Sequence, residues 1–253
     1  MARPIAVAIT GGIGAGKSEA LAAFARHGAA VISSDDIVHR LLQEDANVRE
    51  ALRERFGEGV FGDDGEVDRG AIAEIVFADR EALDWLEGLL HPLVVQEYMS
   101  WRERLAELDD PPPVSVTEVP LLYEVGGQDR FDTVVVVTAS PDVRGARSEV
   151  AAEEREPRLL PDTVKIAQAD FAYVNDGSLE KLDDFVQAVL KELMRCRSCS
   201  RWSSWPRPWP PASPTSTPLS LPGTCACATR CTTTRSSAAT RGTTGSTRRC
   251  LRA

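Results

Sequence analysis

The feature that most constrains the fold is a glycine-rich segment between a short apolar run and a predicted helix. It consists of Gly11, Gly12, Ile13, Gly14, Ala15, Gly16, Lys17 and Ser18, and it fits the pattern G-x-x-x-x-G-K-[ST]. Glycines let successive N–H groups surround an anion, and the helix that follows adds its positive end. We therefore predict a phosphate-binding loop in which Lys17 contacts the β- and γ-phosphates of a nucleotide and Ser18 ligates Mg²⁺. The alternative, a glycine-rich turn with a solvated lysine, is disfavoured by the strand–turn–helix context.

Short apolar runs alternate with helical patterns along the chain. The runs that predict buried strands are Ile5–Ile9, Ala30–Ile32, Val114–Val119, Thr133–Thr138 and Phe171–Val174. This alternation is typical of a parallel α/β fold. The fold class predicted is a P-loop NTPase fold, an α/β architecture with a parallel five-stranded sheet flanked by helices.

The segment between the second and third strands, about residues 36–110, has helical patterns throughout. Its longest predicted helix, Ala82–Leu108, contains the pair His91-Pro92, where we expect a break because proline cannot donate to the helix ladder. A helical insertion at this place usually forms a second lobe that faces the nucleotide. We therefore predict a helical substrate lobe over about residues 36–110.

A charged segment, about residues 142–165, follows the fourth strand. It contains four arginines among acidic residues, Arg144, Arg147, Arg155 and Arg158. Arginines here would form a short lid over the phosphate being transferred. A solvated charged helix is the alternative.

Three carboxylates follow predicted strands at the edge of the sheet where such folds bind ligands. Asp35 and Asp36 follow the second strand, and Glu118 ends the third. An aspartate there accepts a proton from a substrate hydroxyl or holds Mg²⁺ through water. The alternative for Asp35 is a helix N-cap, a role that Ser33 and Ser34 also suit. Glu118 is either a metal or base carboxylate or a buried acid paired with an arginine.

Charge and composition change sharply near residue 196. None of the 38 acidic side chains and nine of the 29 basic ones lie in residues 196–253, so residues 1–195 carry a formal charge of −18 and the rest +9. The acidity of residues 1–195 argues against a nucleic-acid or anionic membrane surface. No apolar run at the N-terminus is long enough for a signal peptide or a membrane span, so the expected location is cytoplasmic.

Residues 196–253 contain all six cysteines, no Lys, and many Arg, Pro, Ser, Thr and Ala. The cysteines lack the spacing and the histidines of a zinc site. GC-rich codons give this mixture when they are translated in the wrong frame, and a one-base shift of Thr232–Ala253 permits a normal helical sequence. We therefore expect residues 1–195 to form the folded protein and residues 196–253 to be a disordered, out-of-frame tail.

Several motifs, in order along residues 5–194, resemble those of the dephospho-CoA kinases. Thr10–Ser18 is similar to that family's phosphate-binding loop, and Ser33–His39 to its Asp-Ala-Asp-x-x-x-His. The other matching motifs are Val67-Asp-Arg69, Ile75-Val-Phe77, Leu86-Glu87, His91-Pro92, Pro120-Leu-Leu-Tyr-Glu124, Ala169-Asp170 and Asn175-Asp-Gly177. Two departures stand out, because the family often has Asp where this chain has Ser33, and the segment between Arg147 and Lys165 is shorter than usual.

The resemblance implies ATP-dependent phosphorylation of the ribose 3′-hydroxyl of dephospho-CoA, the last step of coenzyme A synthesis, with ATP and Mg²⁺. It implies a small-molecule substrate and no nucleic-acid or membrane partner. Catalytic roles would fall to Lys17, Asp35 and Arg147, ATP contacts to residues 11–18 and Asn175, and substrate contacts to Asp35, His91, Tyr123 and Glu124. His91 is alternatively a packing residue of its helix.

Two other functions are compatible with the phosphate-binding loop. One is a different small-molecule or nucleotide kinase of the same fold. The other is a non-catalytic nucleotide-binding protein, although the Asn-Lys-x-Asp motif that guanine-nucleotide switches use to bind the base does not occur in the sequence.

Overall fold

The computed structural model describes residues 3–147 and 160–197. Most of the predicted tail, from residue 198 onward, lies outside the described residues. So do residues 148–159 of the predicted lid, which include Arg155 and Arg158. The final helix ends at Arg197, two residues beyond the predicted end of the folded protein.

The central feature is a five-stranded parallel sheet with the strand order β2-β3-β1-β4-β5. The strands are β1 (Ile5–Thr10), β2 (Ala30–Ser33), β3 (Val114–Glu118), β4 (Thr133–Thr138) and β5 (Phe171–Val174). Every residue of β1, β3 and β4 is buried, as expected of apolar strands covered on both faces. The predicted fold class is confirmed, and the predicted strand limits differ from the observed ones by a single residue at most.

Helices connect these strands. They are α1 (Lys17–Arg26), α2 (Ser34–Glu44), α3 (Ala46–Phe56), α4 (Arg69–Ala78), α5 (Arg80–Ala106), α6 (Pro141–Arg147), α7 (Asp162–Gln168) and α8 (Leu179–Arg197). No helix within the described residues combines the length and the apolar character needed to cross a bilayer.

One face of the sheet is covered by α1 and α8. Leu182, Val186, Val189 and Leu193 recur every three or four residues and form a buried stripe along α8. The stripe belongs to the same apolar cluster as Phe24 of α1 and the inward side chains of β1, β3 and β4. This packing fixes α1, and with it the first turn after the phosphate-binding loop.

The segment between β2 and β3 consists of α2 to α5 and a short 3₁₀ turn, Glu58–Val60. Its buried side chains, among them Leu52, Val60 and Ile72, form an apolar cluster separate from that of the sheet. Three aspartates cap its helices by accepting backbone N–H bonds, Asp45 on α3, Asp68 on α4 and Asp79 on α5. The sequence folds here into a helical layer attached to the edge of the sheet at β2.

The predicted helix break at Pro92 is wrong, because the 27-residue helix α5 runs through Pro92 without interruption. A proline inside a helix costs about 3 kcal/mol. Leu90 and Val94 are both buried, so the apolar face of α5 is packed on either side of Pro92. The burial of that face against α2 and α4 outweighs the lost hydrogen bond. Pro92 itself is exposed, where water can reach the carbonyl that has lost its partner.

Candidate active site

The phosphate-binding loop connects the end of β1 to the start of α1. Gly11 adopts a φ of 150° and packs so closely against the backbone carbonyl of Val137 on β4 that a Cβ would collide with it. Gly16 precedes α1 with a φ of 91°, and no side chain caps the helix. Because the N–H groups of the first turn of α1 lack a side-chain acceptor, they are available to an anion. The loop therefore has the geometry of a phosphate site.

Lys17 begins α1 and curls back over the loop. Its Nζ donates a hydrogen bond to the carbonyl of Gly12 at 3.0 Å. Burial lowers the pKa of Lys17, while the nearby carboxylates of Glu118 and Asp35 oppose that shift. The ammonium group thus lies on the loop, where the charges of both carboxylates act on it.

Glu118 lies at the end of β3, which is flanked in the sheet by β1 and β2. It pairs with Ile9 of β1 on one side and Ser33 of β2 on the other. Its carboxylate accepts a hydrogen bond from the Ser18 hydroxyl at 3.4 Å, and the residue as a whole is 4% exposed. Burial raises the pKa of Glu118, the charge of Lys17 lowers it, and Asp35 adds to the rise. Within the described residues Glu118 has a hydrogen bond from Ser18 and the nearby charge of Lys17, and no ion pair joins it to an arginine there.

Asp35 does not cap α2. Ser33 is the N-cap, and its hydroxyl accepts the backbone N–H of Asp35 at 3.2 Å. Ser34 donates its hydroxyl hydrogen to the Glu118 carbonyl at 2.7 Å and so ties α2 to β3. The side chain of Asp35 is exposed, yet its charge acts on both Lys17 and Glu118. The capping alternative is therefore wrong for Asp35, and serine at position 33 keeps a cap that aspartate would also provide.

Asn175 supports the phosphate-binding loop from the end of β5. Its side chain is 3% exposed, and its Nδ2 donates to the carbonyl of Ala15 at 2.9 Å. Its backbone N–H donates to the carbonyl of Thr138 at 2.6 Å. These bonds fix the middle of the loop against the ends of β4 and β5. The structure thus places Asn175 behind the loop, and its contact with ATP stays a prediction.

Two short helices, α6 and α7, bring charged groups against the loop. The Nη1 of Arg144 lies 2.6 Å from the position that a Cβ on Gly12 would occupy, and its guanidinium lies 3.7 Å from Asp162. Arg147 donates to the carbonyl of Asn175 at 3.3 Å. Asp162 also accepts the hydroxyl hydrogen of Thr138. Both arginines lie against the phosphate-binding loop, so Arg144 is a candidate for the lid role as much as Arg147 is.

The predicted acceptor residues lie in different surroundings. Tyr123 is buried in a cluster with Leu122 and Ile166, and burial raises the pKa of its hydroxyl to about 12. The Glu124 carboxylate lies 2.7 Å from the ammonium group of Lys165, a residue that sequence reasoning missed. His91 is exposed on α5, and within the described residues no hydrogen bond links it to the loop. The structure therefore places Tyr123 and Glu124 beside α7 and leaves His91 on the helical layer.

Comparison with known proteins places this site in a family. The family model for dephospho-CoA kinase matches residues 5–181. The chain belongs to the dephospho-CoA kinase family. It is therefore a kinase with a P-loop fold, and the matched span includes the loop, Asp35, Glu118 and Lys165.

Individual relatives agree with this assignment. The dephospho-CoA kinase of Thiobacillus denitrificans is 37% identical over 196 residues, which cover 72% of this chain and 92% of the relative. That of Protochlamydia amoebophila is 33% identical over 194 residues, covering 74% and 95%. A crystal structure of a Thermus thermophilus protein superposes with a TM-score of 0.61 at 36% identity, covering 76% of this chain and 99% of that one. A dephospho-CoA kinase from Campylobacter jejuni, 23% identical with a TM-score of 0.58 over 76% of this chain and 98% of its own, shares the fold.

Proposed function

We propose that the chain transfers the γ-phosphoryl group of ATP to the ribose 3′-hydroxyl of dephospho-CoA, giving coenzyme A and ADP. The observation that supports this most directly is that β1, β2 and β3 end side by side at one edge of the sheet. They bring the uncapped N-terminus of α1, Lys17 and the carboxylates of Asp35 and Glu118 to one edge of the sheet. A phosphate-binding group beside a carboxylate that can accept a proton is what phosphoryl transfer to a hydroxyl requires.

The reaction exchanges one oxygen–phosphorus bond for another. The hydroxyl oxygen bonds to the γ-phosphorus as the bond from that phosphorus to the β–γ bridging oxygen breaks, and ADP leaves. We assign Asp35 to orienting the hydroxyl and accepting its proton, since its carboxylate is exposed and caps no helix. Lys17, Arg144 and Arg147 would hold the charge that spreads over the transferring group.

The residues beside Ser18 fit a magnesium ion. Mg²⁺ in kinase sites is bound by one or two protein oxygens together with substrate phosphates. Ser18 and Glu118 supply such oxygens 3.4 Å apart. Burial is the main cause that raises the pKa of Glu118, and the repulsion from Asp35, which adds to that rise, would be relieved by a cation. We propose that Ser18 ligates Mg²⁺ with help from Glu118. Bound Mg²⁺ neutralises negative charge on the β- and γ-phosphates.

The acceptor would approach from the side of α2. We propose that Asp35 contacts its ribose, that His91 contributes from α5, and that Tyr123 and Glu124 shape the pocket wall from behind. The proposed partner is this small molecule, with no nucleic-acid or membrane partner, and the proposed location is cytoplasmic. These assignments rest on the family resemblance, and the exposed position of Asp35 at the start of α2 supports its part in them.

Turnover of the full chain tests the proposal against its rivals. The purified protein is incubated with ATP, Mg²⁺ and either dephospho-CoA or a panel of other hydroxyl acceptors, and both ADP and the phosphorylated product are measured. Coenzyme A formed in step with ADP supports the proposal. Faster turnover of another acceptor would favour a different small-molecule kinase, and ATP binding without transfer to any acceptor would favour a non-catalytic nucleotide-binding protein.

A further inference from the structure

We propose that Lys165 supplies a second positive charge to the phosphate site beside Lys17, and that Glu124 is its positioning residue. The inference rests on the proposed function in one respect: nucleotide phosphates occupy the loop of residues 11–18. It gives Glu124 the role of holding the charged group of Lys165 in position, in addition to its proposed place in the wall of the acceptor pocket.

Lys165 and Glu124 form a buried ion pair between α7 and the turn after β3. Lys165 is 1% exposed, and its Nζ lies 2.7 Å from Oε1 of Glu124. The same oxygen accepts the backbone N–H of Leu160 at 3.0 Å. Within the described residues, Nζ makes no hydrogen bond to any other group, and neither does Oε2 of Glu124. An ammonium group has three donors, so a buried one with this single partner can still donate to an anionic ligand or to water.

The pair lies beside the phosphate-binding loop, because Asp162, three residues before Lys165 and on the same face of α7, has its Oδ1 3.6 Å from the position that a Cβ on Gly12 would occupy. Burial is the main cause that lowers the pKa of Lys17, and the charge of Lys165 acts in the same direction. Lys165 thus carries its charge one helical turn from the residue of α7 that lies against the loop, close enough to act on Lys17.

The charges of Lys165, which is buried, and Lys17, which is half-buried, repel each other unless an anion lies between or beside them. The repulsion is stronger away from bulk water, where screening is weak. Nucleotide phosphates would relieve it, and the energy released would favour the phosphate-bound state. A fixed cation of this kind needs no rearrangement as charge builds on the transferring group.

A hydrogen bond on one side and apolar packing on the other hold the Lys165–Glu124 pair in position. The turn that carries Glu124 is bound to the end of β1, because the Thr10 hydroxyl donates to the carbonyl of Pro120 at 3.1 Å. On the other side, Ile166 of α7 packs against the cluster that contains Leu122 and Tyr123. Glu124 thus fixes Lys165 relative to the same strand that leads into the phosphate-binding loop.

Removing both charges separates a role in the fold from a role at the phosphate site. Lys165→Met alone leaves Glu124 buried without a partner, which should lower Tm. In the double variant Glu124→Gln/Lys165→Met the shapes are kept and no buried charge remains, so Tm should return close to that of the unmodified protein. Its affinity for a non-hydrolysable ATP analogue, measured by calorimetry, should nevertheless fall by about tenfold to a hundredfold, as expected for the loss of one fixed charge.

Glu124→Gln alone should strengthen the effect of the ATP analogue on Tm, whereas the double variant should weaken it. The amide oxygen can still accept the N–H of Leu160, but Lys165 now lacks its counter-charge. Bound phosphate would supply it, so the rise in Tm caused by the ATP analogue should be larger than in the unmodified protein. In the double variant that rise should be smaller. A pair that only stabilises the fold predicts the same ligand-induced rise in all folded variants.

Lys191→Met is the matched control, because Lys191 is exposed on α8, donates a hydrogen bond to Gln187, and carries the same charge. It should change neither Tm nor nucleotide affinity. Unchanged analogue affinity in a folded double variant, or an unchanged ligand-induced rise in Glu124→Gln, would overturn the proposal. Both measurements use ATP analogue alone, so their outcome does not depend on whether dephospho-CoA is the acceptor.

Discussion

Asp35→Asn is expected to slow phosphoryl transfer strongly while leaving the fold and the binding of ATP nearly unchanged. The side chain is exposed at the start of α2 and caps no helix, so its shape contributes little to folding. Its charge, in contrast, acts on both Lys17 and Glu118 at the phosphate site. If Asp35 accepts the hydroxyl proton, losing that function should reduce kcat by about 10²–10⁴-fold.

The neighbouring residue gives a matched control. Asp36→Asn removes the same charge from the same first turn of α2, and Asp36 is exposed as well. Asp36 has only the weakest of the effects on Glu118 and is not among the charges that act on Lys17. Each variant loses one carboxylate near a helix N-terminus, which is worth about 0.3–1 kcal/mol. In a protein of this size that loss lowers Tm by at most about 4 °C.

The assay follows ADP and coenzyme A at saturating and limiting ATP, with Tm recorded for the same samples. We expect both variants to have the same Tm. Asp36→Asn should keep most of the kcat of the unmodified protein, whereas Asp35→Asn should lose kcat with little change in KM for ATP. Equal kcat losses in the two variants would refute the reasoning, since the effect would then belong to the helix terminus and not to Asp35. A loss confined to KM for ATP would instead place Asp35 among the nucleotide contacts.

Three other substitutions probe the phosphate-binding loop. Lys17→Ala should keep the circular dichroism of the unmodified protein but reduce turnover by about 10²–10³-fold, and a variant that retains a third of its activity would contradict the assignment. Gly11→Ala should abolish ATP binding in calorimetry, because the added methyl group collides with the Val137 carbonyl, whereas Gly59→Ala, where nothing lies within 4 Å, should bind normally. Asn175→Ala removes the 2.9 Å bond to the Ala15 carbonyl, so KM for ATP should rise by about tenfold; an unchanged KM would mean that the loop holds its shape without it.

The strands and the loop were predictable because their signals are local. Thr133–Thr138 has four consecutive valines between two threonines, and so short a run of β-branched residues is typical of a strand buried on both faces. The glycines of the loop and Lys17 are fixed by the chemistry of phosphate binding. Proline is also a local signal, but at Pro92 it gave the wrong answer, since the burial of Leu90 and Val94 is a tertiary effect.

The start of α2 shows where local signals become ambiguous. Ser33, Ser34 and Asp35 are all good capping residues, and the sequence alone does not decide which one accepts the backbone N–H. In the structure the three have separate roles, since Ser33 caps, Ser34 binds the Glu118 carbonyl, and Asp35 is left exposed. The register of β2 against β3 makes this division possible, because it places Ser33 directly opposite Glu118. Register depends on the pairing of whole strands, so these three residues alone do not predict it.

Lys165 and Glu124 mark the limit of what spacing can reveal. They are separated by 41 positions along the chain, yet their charged groups meet at 2.7 Å. By its residue type Lys165 is expected on the surface, since lysine is almost never fully buried unless it is paired. Replacing a buried ion pair with apolar side chains is often neutral or stabilising, so stability alone gives little reason to keep one here. The proposed action of Lys165 on the phosphate site would be a reason to keep the pair. That action depends on the position of α7 beside the phosphate-binding loop.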